Sequence, residues 1–186
     1  MLRVLEAETR LPDADEKRLL AQYTGWGHSP QVFDDLKAEY WKSHIEGDYS
    51  YGYTQDPEGL ENWADKFYEH HQNLKEMLTP EEWSRAEAST LNAHYTSREV
   101  IEHGLWGIAR HLGFAGGRVL ENSAGIGHVL GLAPQAIAEN SRFTACELDS
   151  ASGRMLKMLY PQALVHVTGF QDAKIPAHSP IPFNGG

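Results

Sequence analysis

The residues with the clearest chemical potential lie in the second half of the chain. Leu120-Glu121-Asn122-Ser123-Ala124-Gly125-Ile126-Gly127 sets an acid at the end of an apolar run, followed by a turn with two glycines. Gly125 and Gly127 allow a tight backbone and close ligand approach, which larger side chains would block. The loop opens the next expected helix, so its backbone N–H groups point at whatever occupies the turn. Glu147 lies 20 residues beyond Gly127, at the end of a second expected strand. A carboxylate there can accept hydrogen bonds from two ribose hydroxyls. A G-x-G turn alone also serves structural ends; the two acids around it point to a ligand.

Two details separate the candidate cofactors. A dinucleotide site wants a third glycine for tight helix packing, and that position is Leu130. Glu121 would repel a pyrophosphate and attract the cationic methionine part of S-adenosylmethionine. Both details favour S-adenosylmethionine over NAD.

The elements that must hold these residues follow from the pattern. From Gly117 onward, short strands (Arg118–Glu121, Arg142–Glu147, Ala163–Thr168) alternate with helices (His128–Ala138, Ser150–Tyr160). Such a βαβαβ succession predicts parallel pairing. Before it the chain reads as helical: about Asp15–Tyr23, Pro30–Ser43, Leu60–Met77 and from Thr79 to about Thr90. Thr79-Pro80-Glu81-Glu82 has the composition of a capping box, with proline at the first helical position. Thr96-Ser97-Arg98-Glu99 repeats the spacing, and Ile101, Leu105, Ile108 and Leu112 would form one stripe ending at Gly113. The expected class is α/β: a helical, acidic region over 1–90, then a partial Rossmann-like methyltransferase sheet over 91–186.

Composition narrows the setting. Residues 1–90 hold 19 acidic and 9 basic side chains, residues 91–186 hold 7 of each. A free-standing DNA binder usually has the opposite sign; this acidic part suits a basic protein surface. No apolar run is long enough to span a membrane. Glu6, Glu8, Asp13 and Asp15 break the pattern of a signal peptide, so the cytoplasm is the expected location. Cys146 is the one cysteine, which excludes an internal disulfide and reads as a small core residue.

Residues 12–175 resemble the methylase region of large phage- and plasmid-borne adenine-specific DNA methylases, often fused to helicase segments. The matching stretches are Gln22-Tyr23-Thr24-Gly25-Trp26-Gly27, Asn92-Ala93-His94-Tyr95-Thr96-Ser97, the glycine loop, Glu147-Leu148-Asp149 and Gly169-Phe170-Gln171-Asp172. The resemblance implies that Tyr95 and Thr96 close over the cofactor. Glu121, Asn122, Ala124, Gly125 and Gly127 would hold its methionine end, Glu147 its ribose, and Leu148 its adenine face. Asp172 or Gln171 would approach the adenine amino group. With the Tyr-Thr element first, the motif order is similar to the gamma arrangement of amino methyltransferases.

Two positions depart from that family. Asn122 stands where proline is usual. The catalytic (Asp/Asn)-Pro-Pro-(Tyr/Phe) motif, which holds the flipped base, is echoed only by Pro180-Ile181-Pro182-Phe183, with Ser179 or Pro180 where Asn or Asp is needed. The chain then ends three residues later, so it is expected to be truncated before that motif. No residue is assigned as catalytic, and DNA is expected as a partner only within a larger enzyme.

Two functions follow. One is a methyltransferase-like module that binds S-adenosylmethionine without methylating DNA by itself. The other is a non-catalytic acidic protein of a mobile element, binding a basic nucleic-acid-handling defence complex as DNA-mimicking inhibitors of restriction or CRISPR systems do. An incomplete sheet also leaves an edge for self-association. Other residues read as structural. Glu69-His70-His71 fits a solvated helix face, and no metal site is expected. The five tryptophans fit core positions, and Tyr49, Tyr51 and Tyr53 fit a loop.

Overall fold

The computed structural model describes residues 1–48, 54–91 and 95–175. In chain order these form α1 (Leu2–Ala7), α2 (Ala14–Leu20), a 3-10 turn (Pro30–Phe33), α3 (Asp35–Glu46), α4 (Pro57–Met77) and α5 (Pro80–Ser89). A π-helical segment (Val100–Trp106) runs into α6 (Gly107–His111), followed by β1 (Gly117–Glu121), α7 (His128–Gly131), α8 (Gln135–Glu139) and β2 (Ser141–Cys146). The described part ends with α9 (Ser150–Leu159), β3 (Leu164–His166) and a 3-10 turn (Phe170–Asp172).

The chain divides into two compact units, 1–24 with 94–186, and 25–93. This differs from consecutive regions over 1–90 and 91–186. Residues 1–24 belong with the later unit because α2 packs on α9 and the Glu6 carboxylate pairs with Arg154 of α9 at 2.6 Å. Helical periodicity marks an apolar face and says nothing of which distant element will cover it.

Within residues 25–93, the single helix expected over 30–43 is two elements. Asp34 leaves the helical conformation and its carboxylate accepts from the Lys37 N–H at 3.0 Å, capping α3. Trp63, Ala64, Phe67 and His71 recur at helical spacing on α4 and pack among aromatic neighbours. His71 is therefore buried, contrary to its expected solvated face. Its Nδ1 donates to the Val32 carbonyl at 2.8 Å, and its ring stands edge-on to Trp83. The Thr79 capping box forms as its spacing predicts: the Glu82 N–H donates to Thr79 Oγ1, and the Thr79 N–H donates to Glu82 Oε2.

The other unit contains a parallel three-stranded sheet in the order β1-β2-β3. This places the chain in the mixed α/β class. Val119 pairs with Phe143, and Ala145 with Val165. These residues join Leu130, Leu156, Ile101, Trp106 and Ile137 in the packed core. Arg118, Leu120, Arg142 and Leu164 alternate with them and are exposed. Cys146 is fully buried, as a small core residue should be.

Three local expectations change here. The helix expected over 128–138 is two short ones, because Pro134 has no N–H to donate and is disfavoured within a helix. The start expected at Thr96 shifts by one residue: the Val100 N–H meets Ser97 Oγ at 3.4 Å, and the Ile101 N–H donates to the Ser97 carbonyl. The stripe of Ile101, Leu105, Ile108 and Leu112 is also redrawn. The wider π turn brings residues five apart onto one face, so Ile101 and Trp106 are buried while Leu105, Ile108 and Leu112 are exposed.

Candidate functional site

Parallel strands deliver their following loops to the same edge of the sheet, where ligands of α/β folds bind. Here that edge gathers the loop after Glu121, the segment after Cys146, and the segment after His166. Gly125 and Gly127 both adopt the left-handed conformation, φ +55 and +92. That conformation suits glycine and strains other residues.

Three of the loop's N–H groups are used by the chain itself. Ala124 donates to the Cys146 carbonyl at 3.0 Å, and Gly127 to the Ala124 carbonyl at 2.8 Å. Gly125 donates to Glu147 Oε2 at 2.7 Å. This corrects the expectation that these donors face a ligand; the helix that follows, α7, has four residues. The other Glu147 oxygen, Oε1, accepts from the Asp149 N–H at 2.7 Å. Each carboxylate oxygen has two lone pairs, so Glu147 keeps capacity for two hydroxyl donors. Burial pushes its carboxyl above the usual range, against the opposing pull of those backbone N–H groups.

Glu121, at the tip of β1, is half-buried, and burial alone raises its carboxyl. No hydrogen bond or ion pair engages its side chain among the described residues. Asn122 and Ser123 beside it are exposed. Leu148 is 67% exposed, an apolar side chain held in the open next to Glu147. Asp172 is exposed on the turn after β3, where Gln171 donates to it. Thr96 is also exposed.

Tyr95 is brought against the loop. A Cβ on Gly125 would stand 2.9 Å from the Tyr95 ring, so glycine there is what lets the ring close down. The ring also lies 4.9 Å from that of His128, whose charged form is disfavoured by burial. Gly127 has a different role: a Cβ there would stand 2.5 Å from Leu156 and 2.6 Å from Tyr160. Its clearance serves core packing, not a ligand.

Sequence reasoning assigned no role to Tyr23, Asp149 or Ser152. Asp149 caps α9, accepting from the Ser152 N–H at 2.8 Å and the Ser152 hydroxyl at 2.7 Å. Burial raises both the Tyr23 and the Tyr95 phenol. The Asp149-x-x-Ser152 spacing is a legible cap signal.

Among the described residues, no group of three or more His, Cys, Asp or Glu side chains is placed to hold a metal ion. Nor is any described helix long and apolar enough to cross a membrane. Asn92-Ala93-His94, the loop tyrosines 49, 51 and 53, and Pro180-Ile181-Pro182-Phe183 lie outside the described residues. No protein-family model, curated protein or solved structure matches the chain.

Proposed function

We propose that this chain is an S-adenosylmethionine-binding, Rossmann-like module of the kind found in DNA adenine methylases, and that it does not methylate DNA alone. The observation that carries this reading is the pair of acids around the glycine loop. Glu147 is tied to Gly125, and the half-buried Glu121 has no partner among the described residues. A cationic group near Glu121 and a ribose diol at Glu147 would satisfy both. Leu148 offers an apolar surface to a base, and Tyr95 a ring that closes over the loop. When bound, S-adenosylmethionine supplies an activated methyl group. The residues at this edge bind and orient it, while the echo at 180–183 lacks the Asn or Asp that would hold an acceptor nitrogen.

Calorimetric titration with S-adenosylmethionine is the test. Micromolar binding that is lost in Glu147→Ala is expected. A well-folded wild-type chain that binds nothing would remove the reading. Transfer of labelled methyl groups to DNA by the purified chain would remove its second half.

A second reading, in which the chain is an acidic interaction protein that mimics DNA, has its own support. Residues 25–93 hold 14 acidic and 5 basic side chains, against 12 and 11 in the other unit. Glu58, Glu61, Asp65, Glu69 and Glu76 recur at helical spacing along α4, over about 27 Å at the usual helical rise. All five are exposed and none is ion-paired among the described residues. The partner would be a basic, nucleic-acid-handling defence complex. Changing Glu58, Glu61, Asp65 and Glu69 to Gln should abolish competition with DNA for such a complex; undiminished competition would exclude the stripe. Self-association through the outer edge of β1 or β3 is a further proposal on the same sheet, and sedimentation velocity of the purified chain would reveal it.

A further inference from the structure

The Tyr95 ring sits on the glycine loop, but its own backbone belongs to no regular element. Residues 95–97 precede the helical turns that begin at Arg98 and are neither helix nor strand. A side chain on such a segment is fixed by what it touches. The atoms nearest the Cβ position of Gly125 are Tyr95 Cε1 at 2.9 Å, then Cζ and Oη, both at 3.2 Å. The hydroxyl end of the ring therefore lies on the loop. The ring centre is 4.9 Å from that of His128, with the two planes tilted by 60°, a spacing at which ring pairs attract.

His128 is anchored by its helix. It opens α7, where the Leu132 N–H donates to its carbonyl at 3.0 Å and the Gly131 N–H donates to the Gly127 carbonyl at 2.9 Å. The next two residues, Val129 and Leu130, pack in the core over the sheet. Trp106 Nε1 donates to the Val129 carbonyl at 3.0 Å. The imidazole thus stands on a fixed turn, beside a tyrosine from an irregular segment. Burial disfavours the charged form of His128 and raises the Tyr95 phenol, so the two rings meet uncharged.

We propose that His128 is a positioning residue of the glycine-loop site: its ring holds the hydroxyl end of Tyr95 down on Gly125, and so against bound S-adenosylmethionine. His128 acts through Tyr95 and need touch no ligand itself. The inference rests on the cofactor reading above. A ring placed before binding does not have to be ordered by the ligand, so loss of His128 costs affinity through that ordering.

Calorimetric titration of the full chain with S-adenosylmethionine tests this as a double-mutant cycle. Tyr95→Ala should weaken binding about tenfold or more, the scale of an aromatic contact and a hydroxyl hydrogen bond together. His128→Ala should weaken it about threefold to tenfold, the scale of one aromatic pair. Added to Tyr95→Ala, it should weaken binding no further, because the ring it positions is gone. His128→Phe puts a ring back and should recover most of the lost affinity. A residue that only supported the fold of α7 would weaken binding by the same factor with or without Tyr95. A second readout needs no ligand. In the chain labelled with fluorotyrosine, the Tyr95 fluorine signal, assigned by its loss in Tyr95→Phe, should shift in His128→Ala and return towards its wild-type position in His128→Phe. If wild type binds, but the two substitutions act independently and the fluorine signal ignores His128, the positioning role is wrong and the cofactor reading stands. If folded wild type binds no S-adenosylmethionine, the cofactor reading fails and the role of His128 towards that ligand fails with it.

Discussion

Gly125 and Glu147 are 22 residues apart in sequence, yet the backbone N–H of one donates to the carboxylate of the other at 2.7 Å. That bond ties the loop after β1 to the end of β2 through the chain's own groups. In the proposed function, an acceptor fixed this way would lower the ordering cost of binding. Glu147→Ala should abolish S-adenosylmethionine binding and loosen the loop, seen as faster exchange of the Gly125 amide. Gly125→Ala would force a non-glycine residue to φ +55 and displace the Tyr95 ring. It should lower affinity at least tenfold, while Gly127→Ala, clashing with Leu156, should chiefly lower the unfolding midpoint.

Glu121 should show an opposition between stability and binding. Burial raises its folded carboxyl above the ordinary 4.5, so the folded state takes up a proton more readily than the unfolded chain. Its penalty is absent well below that value and grows as pH rises through the raised value. Glu147 titrates in the same direction. Glu121→Gln should raise the melting temperature near neutral pH and flatten its fall as pH climbs above the ordinary carboxylate range. The same change should weaken a cationic ligand roughly tenfold or more. A variant that melted lower at neutral pH and bound equally well would contradict both halves.

The π-helical segment sets a different pattern of mutational cost from an ordinary helix. Ile101→Ala should cost about 2–5 kcal/mol, and Trp106→Ala about 3–5 kcal/mol, since both are buried. Ile108→Ala and Leu112→Ala should stay within about 0.5 kcal/mol, although α-helical spacing groups them with Ile101. Urea unfolding of the four variants reads the difference directly.

Two helix caps should separate stability from binding. Thr79→Ala removes a capping box in the acidic unit and should cost about 1 kcal/mol with no change in ligand affinity. Asp149→Ala should cost about as much through loss of its cap on α9. It should also weaken binding, because the cap it removes steadies the backbone at residue 149, whose N–H holds Glu147. Equal affinity in the two variants would show that the cap is purely structural.

Much of this was legible in the residues. The capping box at Thr79, the alternation of strands and helices after Gly117, the two left-handed glycines and the position of Glu147 all follow from local spacing. Local spacing works because caps, turns and strand faces depend on neighbours within a few residues. Pro134 could have been read the same way, and its interruption of the helix at 128–138 is local chemistry. Asp149-x-x-Ser152 carried a cap signal too.

Other features needed the folded chain. His71 reads as one of a charged triplet, but the face it occupies on α4 is set by the aromatic residues that α4 meets. The π turn is decided by which side chains find room in the core, Ile101 and Trp106 over Leu105 and Ile108. The donors of the glycine loop could be counted from sequence, but not where they point. By itself the sequence determined that a glycine loop and two acids exist at the ends of parallel strands. Only the tertiary structure decided that Gly125 answers to Glu147 and Gly127 to Leu156. Those partners are separated by tens of residues or more, and no local periodicity encodes a contact whose geometry is set by how elements pack.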